Sequence, residues 1–145
     1  MKYKKITVSE ARVERGLTKV PFNGRKGKYN AQGEHVDGYW FASASEAKRY
    51  RQLKQMLDEG MIEALEMQPK YAIAINGKPI TTYRGDFRYG VLDERKRIER
   101  VVVEDVKGMV TDVYALKKKL VEALYEIKIR EIPAKEIHKW EQKVG

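Results

Sequence analysis

Cysteine is absent from the 145-residue chain, which excludes a disulfide framework and a thiolate zinc site. Long apolar runs are absent too, since none approaches the roughly 20 residues that span a bilayer. The first six residues contain no apolar segment of the kind found in signal peptides. Serine-hydrolase motifs and phosphate-binding loops are also missing. We therefore expect a soluble cytoplasmic protein with no membrane partner, folded as one domain.

The positive charge is concentrated at the amino terminus. The formal net charge is +9, and residues 1–30 carry nine lysines and arginines against two glutamates. Basic charge gathered on one segment is typical of a protein that binds a polyanion. The same composition also fits a solvated arm without a partner. We divide the chain into a basic arm or extension (1–40) and a core domain (41–145), and we nominate as DNA contacts Arg25, Lys26 and Lys28.

Periodicity predicts a helix, three strands, a second helix and a final strand. Ser43 and Glu46 are spaced as a capping box at the start of the first helix, and Gly60 is suited to its end. Asn76-Gly77 is a strong hairpin signal. The predicted strands are Tyr71–Ile75, Lys78–Tyr89, Ile98–Lys107 and a run around residues 127–132, and short helices are expected at Ser9–Arg15 and Ala134–Lys143. This order predicts an α/β or α+β domain with a mixed sheet flanked by helices.

The apolar strand that begins at Ile98 ends in a carboxylate and a lysine on one face. Asp105 and Lys107 are two residues apart, so their side chains point the same way, whereas Glu104 points to the opposite face. Carboxylates bind hard divalent cations, and an ammonium group beside them stabilises developing negative charge. Asp86, in a neighbouring strand-like run, adds a second carboxylate. This pattern favours metal-assisted phosphodiester cleavage.

Each of these residues also has a structural interpretation. Asp86 fits a solvent-facing residue paired with Arg84 or Arg88, and Asp105 with Lys107 fits a surface ion pair. Glu46 lies on the inward face at the helix start, where it fits either the capping box or a carboxylate aimed into a site.

In this combination the chain resembles the PD-(D/E)XK nuclease superfamily over residues 40–132. The matching residues are Glu46 in the first helix, Gly85-Asp86 and Asp105-Val106-Lys107, with Gly85 where the motif name has proline. The resemblance implies a restriction-endonuclease-like core and a DNA endonuclease that depends on Mg²⁺, or on Mn²⁺ as a substitute. It implies that Asp86 and Asp105 are metal ligands, Glu46 is an additional acidic ligand, and Lys107 is the catalytic lysine.

Small phage-encoded members of this superfamily include enzymes that resolve Holliday junctions as homodimers, so the resemblance implies branched DNA and a second copy as partners. The chain has no room for a separate sequence-reading domain, which favours recognition of DNA shape and backbone. Lys117 and Lys118, after the active-site strand, are further candidate phosphate contacts or a solvated face. The alternatives are a nuclease or nickase for ordinary duplex DNA, and a non-catalytic nucleic-acid-binding module.

Overall fold

The computed structural model describes residues 32–137 of the chain. Its elements, in chain order, are β1 (Glu34–Val36), β2 (Tyr39–Phe41), α1 (Ala44–Asp58), β3 (Ile62–Met67), β4 (Lys70–Ile75), β5 (Lys78–Arg84), β6 (Phe87–Leu92), β7 (Ile98–Lys107), α2 (Asp112–Tyr125) and β8 (Ile129–Pro133). Residues 134–137 are helical. The predicted helix at 9–15, the remainder of the one at 134–143 and the three arm residues 25, 26 and 28 lie outside the described residues.

The central sheet has four strands in the order β3-β6-β7-β8. The pairs β3–β6 and β6–β7 are antiparallel, whereas β7 and β8 are parallel, with Asp105 opposite Glu131. Helix α2 makes the crossover between the two parallel strands, as a parallel pair requires. The predicted α+β class, a mixed sheet flanked by helices, is confirmed.

Two hydrophobic clusters cover the two faces of this sheet. On one face, α1 and the β1–β2 hairpin pack on β6 and β7 through residues such as Tyr50, Phe87 and Val106. On the other face, α2 and the β4–β5 hairpin pack around Val103 and Val121. Because side chains alternate along a strand, β7 contributes to both clusters. Across residues 32–137 no helix is long and apolar enough to cross a membrane.

The strands of the central sheet differ from those predicted. The first sheet strand is β3, which was not predicted, because a register shift and the positive φ of Ala64 break its alternation. The predicted strand Tyr71–Ile75 instead belongs to a separate two-stranded sheet with β5. The predicted strand Lys78–Tyr89 is interrupted at Gly85-Asp86, where the chain leaves that small sheet and enters the central one.

Part of the predicted arm forms a hairpin that packs on the core. Strands β1 and β2 pair through a two-residue turn at Asp37 and Gly38, both with positive φ. Tyr39 and Phe41 are buried, and the Phe41 ring lies 5.0 Å from that of Tyr50 in α1. The sequence analysis predicts no strands between residues 34 and 41, and the Asp-Gly pair is the signal that marks the turn. Strands of three residues are too short to show alternation.

The predicted cap of the first helix and the predicted hairpin turn are confirmed. Ser43 caps α1 by accepting a hydrogen bond from the Glu46 backbone N–H, and Thr111 caps α2 in the same way through Tyr114. Gly60 follows the end of α1 with a φ of 71°. Asn76 and Gly77, with φ of 52° and 75°, join β4 to β5, as a type I′ turn requires.

Candidate active site

The carboxyl end of β7 carries the buried carboxylate of the candidate site. Asp105 is 1% exposed, and the hydroxyl of Tyr83 in β5 donates a hydrogen bond to its Oδ2 atom. Its Oδ1 atom lies 3.6 Å from Lys107 Nζ. Asp105 and Lys107 thus share one face of β7, as strand alternation predicts.

Asp86 lies beside β7 in the two-residue connection between β5 and β6. Its Oδ2 atom accepts a 2.7 Å hydrogen bond from the Val106 backbone N–H. Its own backbone N–H donates to Glu104 O at 3.1 Å, and its carbonyl accepts from Gln68 N at 2.8 Å. The bonds to Val106 and Glu104 hold Asp86 against the segment that carries Asp105, and the bond from Gln68 ties it to the end of β3.

Gly85 explains why this chain has no proline before the aspartate. Its backbone N–H donates a 2.9 Å hydrogen bond to Pro69 O, and proline has no N–H to donate. A Cβ at this position would lie 3.3 Å from both Pro69 Cγ and Val103 Cγ1. The connection that carries Asp86 is therefore built around a glycine.

Glu46 takes part in the helix cap and also faces the site. Its Oε2 atom accepts a 3.3 Å hydrogen bond from the Ala42 backbone N–H, and its backbone N–H donates to Ser43 Oγ at 3.1 Å. The same carboxylate interacts electrostatically with Asp86, Asp105 and Lys107. The two interpretations of Glu46 left open by the sequence are thus compatible.

The surroundings of Asp86 and Glu46 favour protonation of these carboxylates or the binding of a cation between them. Burial raises the pKa of Asp86 well above its usual value, and the charges of Glu46 and Asp105 raise it further. Burial also raises the pKa of Glu46, against hydrogen bonds from Ala42 and Ser43 and the charge of Lys107, which lower it. Repulsion between like charges of this kind is relieved when a cation binds among them.

The donor set suits a hard divalent ion. Within residues 32–137, no group of three or more His, Asp or Glu side chains is placed so that it could hold a metal ion. Mg²⁺ does not need one, because it takes one or two protein carboxylates and keeps several waters. Asp86 and Asp105 provide two oxygen-bearing side chains, fixed by Val106 N–H and Tyr83 OH respectively. Two carboxylates are the number that Mg²⁺ takes from a protein, so Asp86 and Asp105 are the residues that would hold such an ion.

Lys107 is oriented by an aromatic ring. Its Nζ atom lies 3.8 Å from the ring centroid of Tyr114 in α2, a favourable cation–π distance. The Tyr114 hydroxyl contacts Glu131 of β8 at 3.3 Å. Burial, followed by the charge of Asp105, raises the pKa of Tyr114. The ammonium group is thus held beside Asp105 by residues of α2 and β8.

Glu104 occupies the opposite face of β7 and has a structural partner. It is fully buried and accepts hydrogen bonds from Arg49 Nε at 2.6 Å, Arg49 Nη2 at 3.1 Å and Tyr89 OH at 2.8 Å. Burial lowers the pKa of Arg49, but the hydrogen bonds and charge of Glu104 raise it overall. The neighbouring carboxylates of β7 therefore have different roles: Glu104 ties α1 to the sheet, and Asp105 faces the candidate site.

Comparison with known families assigns the chain to one group. Residues 26–139, more than half of the chain, match the model of the family described as protein of unknown function (DUF1064). The chain belongs to the DUF1064 family. No curated protein and no solved structure matches it. The matched residues of this DUF1064 chain include all four members of the candidate site.

The DUF1064 chain uses two of its predicted DNA-contacting lysines internally. Lys118 Nζ lies 2.8 Å from Glu131 Oε1, and Lys117 Nζ donates to Thr82 O at 3.3 Å. Both therefore help dock α2, which leaves less of their charge for phosphate. Arg25, Lys26 and Lys28 lie outside the described residues.

Three residues around the site were not found from the sequence of this DUF1064 chain. Tyr83 contacts Asp105, Tyr114 contacts Lys107, and Arg49 pairs with Glu104. Tyr83 and Tyr114 come from different elements, and no spacing pattern links either to its partner. Arg49 lies one turn after Glu46 on α1, but helical spacing alone does not distinguish it from the other arginines and lysines of that helix.

Proposed function

We propose that this DUF1064 chain is a metal-dependent DNA endonuclease that hydrolyses phosphodiester bonds. The observation that carries the proposal is the pairing of two carboxylates with a lysine at the carboxyl end of β7. Asp86 is hydrogen-bonded to the backbone next to Asp105, and Asp105 lies 3.6 Å from Lys107 Nζ. Crowded carboxylates with raised pKa values are typical of functional sites.

The side chains of the site have separate roles in the proposed reaction. Asp86 and Asp105 hold the divalent cation, and Glu46 adds a third acidic group. When bound, the cation neutralises charge at the scissile phosphate and acidifies the attacking water. Lys107 positions that water and stabilises the negative charge that develops on the phosphate oxygens. The Tyr83 hydroxyl and the Val106 N–H keep the two aspartates in place.

The proposed substrate is branched DNA, in particular a four-way junction, and the proposed assembly is a homodimer. The support is the small size of the chain together with its resemblance to small phage-encoded nucleases. A single short domain with an excess of basic residues has backbone and shape, rather than base sequence, available for recognition. A two-fold junction suits a two-fold protein. The proposed location is the cytoplasm of a phage-infected cell.

A cleavage assay with three DNA substrates tests the proposal. The full chain is incubated with a four-way junction, a linear duplex and a single strand, each with Mg²⁺ or with EDTA. We expect junction cleavage that requires the cation and is lost in Asp86→Asn. Asp58→Asn is the matched control, because Asp58 is exposed at the opposite end of α1 from Glu46 and its variant should cleave normally.

The other outcomes separate the alternatives. Equal cleavage of the linear duplex would replace junction resolution with a general nuclease or nickase activity. DNA binding without cleavage, with both Mg²⁺ and Mn²⁺, would contradict the enzymatic proposal and support a binding module. Undiminished cleavage by Asp86→Asn would remove the site described here from the reaction.

A further inference from the structure

Helix α2 has an apolar face that nothing covers among residues 32–137. Its inner side is buried at Val121 and contacts the β4–β5 hairpin through Tyr125, which donates to Ala72 O. On its outer side Val113 is 65% exposed and Leu116 is 59% exposed. Met109 and Val110, just before the helix, are exposed as well. These four residues are called the outer face below.

The outer face forms one contiguous strip. Val113 and Leu116 are three residues apart, so they lie on one side of the helix, whereas Leu120, one turn further on, is partly buried against the cluster around Val121. Met109 and Val110 extend the strip beyond the first turn. Scattered exposed apolar residues need no explanation, but a contiguous strip of aliphatic side chains marks an interaction surface.

The charges beside this strip are arranged for pairing with a second copy. Asp112 and Lys119 are seven residues apart in α2, so they lie in one row along the helix with opposite sign, and Glu126 follows the helix as its left-handed C-cap. All three are exposed, and none takes part in the ion pairs formed within residues 32–137. When two copies of a helix pack antiparallel, the same side of each helix faces the other, with the residue order reversed. An acidic residue at one end of the row then faces the basic residue of the second copy.

We infer that the outer face is a homodimer interface in which α2 packs antiparallel against α2 of a second copy. One register pairs Asp112 with Lys119 of the other copy, and by symmetry Lys119 with Asp112 of the other copy. In this register the two-fold axis passes close to Leu116. Val110 and Val113 then lie within the contact. A register that pairs Lys119 with Glu126 would leave Met109, Val110 and Val113 uncovered, so the first register is the better one.

The charge balance selects a second copy over the other occupants. DNA would require a cationic face, and this strip is aliphatic. The amino-terminal segment, with nine basic and two acidic residues in its first 30, would need an acidic partner, whereas the row beside the strip contains charges of both signs. A second copy supplies both the apolar surface and the opposite charge.

The interface deepens the proposed function without depending on it. Helix α2 also carries Tyr114, whose ring contacts Lys107, so the pairing joins two candidate sites through one helix pair. This consequence rests on the proposed nuclease activity, since paired sites suit the cleavage of two strands. The association itself requires no catalysis, and it is measured independently below.

Molecular mass in solution is the first test. Sedimentation equilibrium of the full chain should give a dimer, and Leu116→Asp should give a monomer with an unchanged circular dichroism spectrum, because Leu116 is exposed in the single chain. Met61→Asp is the matched control. Met61 is also exposed, at 49%, but it lies between α1 and β3 rather than on α2, so its variant should remain a dimer.

Cross-linking tests the register directly, because the chain has no cysteine of its own. Leu116→Cys lies near the two-fold axis and should form a disulfide-linked dimer on mild oxidation, since such bonds require Cα atoms within about 7 Å. Leu124→Cys should remain uncrosslinked. Lys119→Glu should weaken the dimer about 5-fold, the scale of exposed ion pairs, and the added change Asp112→Lys should restore it.

A monomer at all concentrations would overturn the interface, as would a dimer that Leu116→Asp leaves intact. Failure of the proposed nuclease function is distinguishable from failure of the interface. A dimer that cleaves no DNA contradicts only the proposed activity. A monomer that cleaves junctions contradicts the interface and the proposed homodimer, and it leaves the proposed activity standing. Asp86→Asn should dimerise like the unmodified chain in either case.

Discussion

At the scale of single residues, Asp86 combines a structural bond with an unfavourable charge. Its carboxylate accepts the Val106 N–H, yet burial and two neighbouring carboxylates oppose its ionisation. A carboxyl group whose pKa is raised in the folded state binds its proton more tightly there than in the unfolded chain. The free energy of unfolding therefore falls as pH rises from the ordinary pKa of aspartate through the raised one.

Removal of the Asp86 charge should stabilise the cation-free protein. Asparagine keeps an oxygen that accepts the Val106 N–H, but it cannot ionise. In EDTA at pH 8, Asp86→Asn should melt a few degrees above the unmodified chain, and the difference should disappear near pH 4, where Asp86 is protonated. Thermal denaturation followed by circular dichroism measures this. A variant less stable at pH 8 would show that the hydrogen bond, rather than the charge, dominates at this position.

Mg²⁺ should reverse that order of stability. A cation that binds only the folded state raises the melting temperature by mass action, so millimolar Mg²⁺ or Mn²⁺ should stabilise the unmodified chain and Asp58→Asn. Asp86→Asn and Asp105→Asn should respond weakly. An equal response of all four proteins would indicate that the cation binds elsewhere.

Lys107 should contribute to turnover more than to binding. Lys107→Ala should lower the cleavage rate by about 10²–10³-fold, the cost of removing one group that stabilises charge in a transition state. DNA affinity should stay within about twofold, because one lysine among many contributes little to total phosphate contacts. Lys78→Ala, at an exposed position of the β4–β5 hairpin, is the control. A parallel loss of affinity and rate would make Lys107 a binding residue.

At the scale of elements, the site depends on a change of sheet at Gly85-Asp86. Strand β5 pairs with β4 in the small sheet, and β6 pairs with β3 and β7 in the central sheet. The two residues between them carry the hydrogen bond from Gly85 to Pro69 and those of Asp86 to Gln68 and Glu104. Asp86 reaches β7 because the chain turns out of one sheet and into the other at this point.

Replacement of Gly85 by proline, the residue in the name of the PD-(D/E)XK motif, should destabilise this protein. Gly85→Pro removes the N–H that donates to Pro69 and places atoms where a Cβ already has contacts of 3.3 Å. We expect a loss of about 2–3 kcal/mol in unfolding free energy, measured by urea denaturation. Gly108→Pro is a suitable comparison, because a Cβ there meets nothing within 4 Å. Unchanged stability of Gly85→Pro would show that the connection tolerates both residues.

At the scale of the whole molecule, a buried ion pair joins the helical layer to the sheet. Arg49 of α1 contacts Glu104 of β7 with two hydrogen bonds, and the two side chains are 11% and 0% exposed. Tyr89 also donates to Glu104, and burial together with that carboxylate raises the pKa of Tyr89 to about 12. The pair sets the position of α1, and hence of Glu46, relative to Asp105.

Arg49→Met should destabilise the protein by about 3–5 kcal/mol, because it leaves Glu104 buried without its cation. Arg51→Met is the matched control on the same helix. Arg51 pairs with Glu34 at an exposed position, so its loss should cost about 1 kcal/mol or less. Urea denaturation of both variants measures the difference. Equal and small losses would show that Glu104 is protonated or hydrated when Arg49 is absent.

The amino-acid sequence by itself determined the local features of this protein. The cap at Ser43 and the turn at Asn76-Gly77 follow from short-range hydrogen bonds and backbone conformation. The side on which Asp105 and Lys107 lie follows from strand alternation. The α+β class follows from element order, since a parallel last strand needs a helical crossover.

Only the tertiary structure decided which strands share a sheet and which residues surround the carboxylates. Strand β3 lacks alternation, and continuous β-forming sequence hides the break at Gly85-Asp86. The partners Tyr83–Asp105, Tyr114–Lys107 and Arg49–Glu104 are 22, 7 and 55 residues apart in the chain. Such contacts depend on how the layers pack, and packing is set by the combined burial of many side chains rather than by any local pattern.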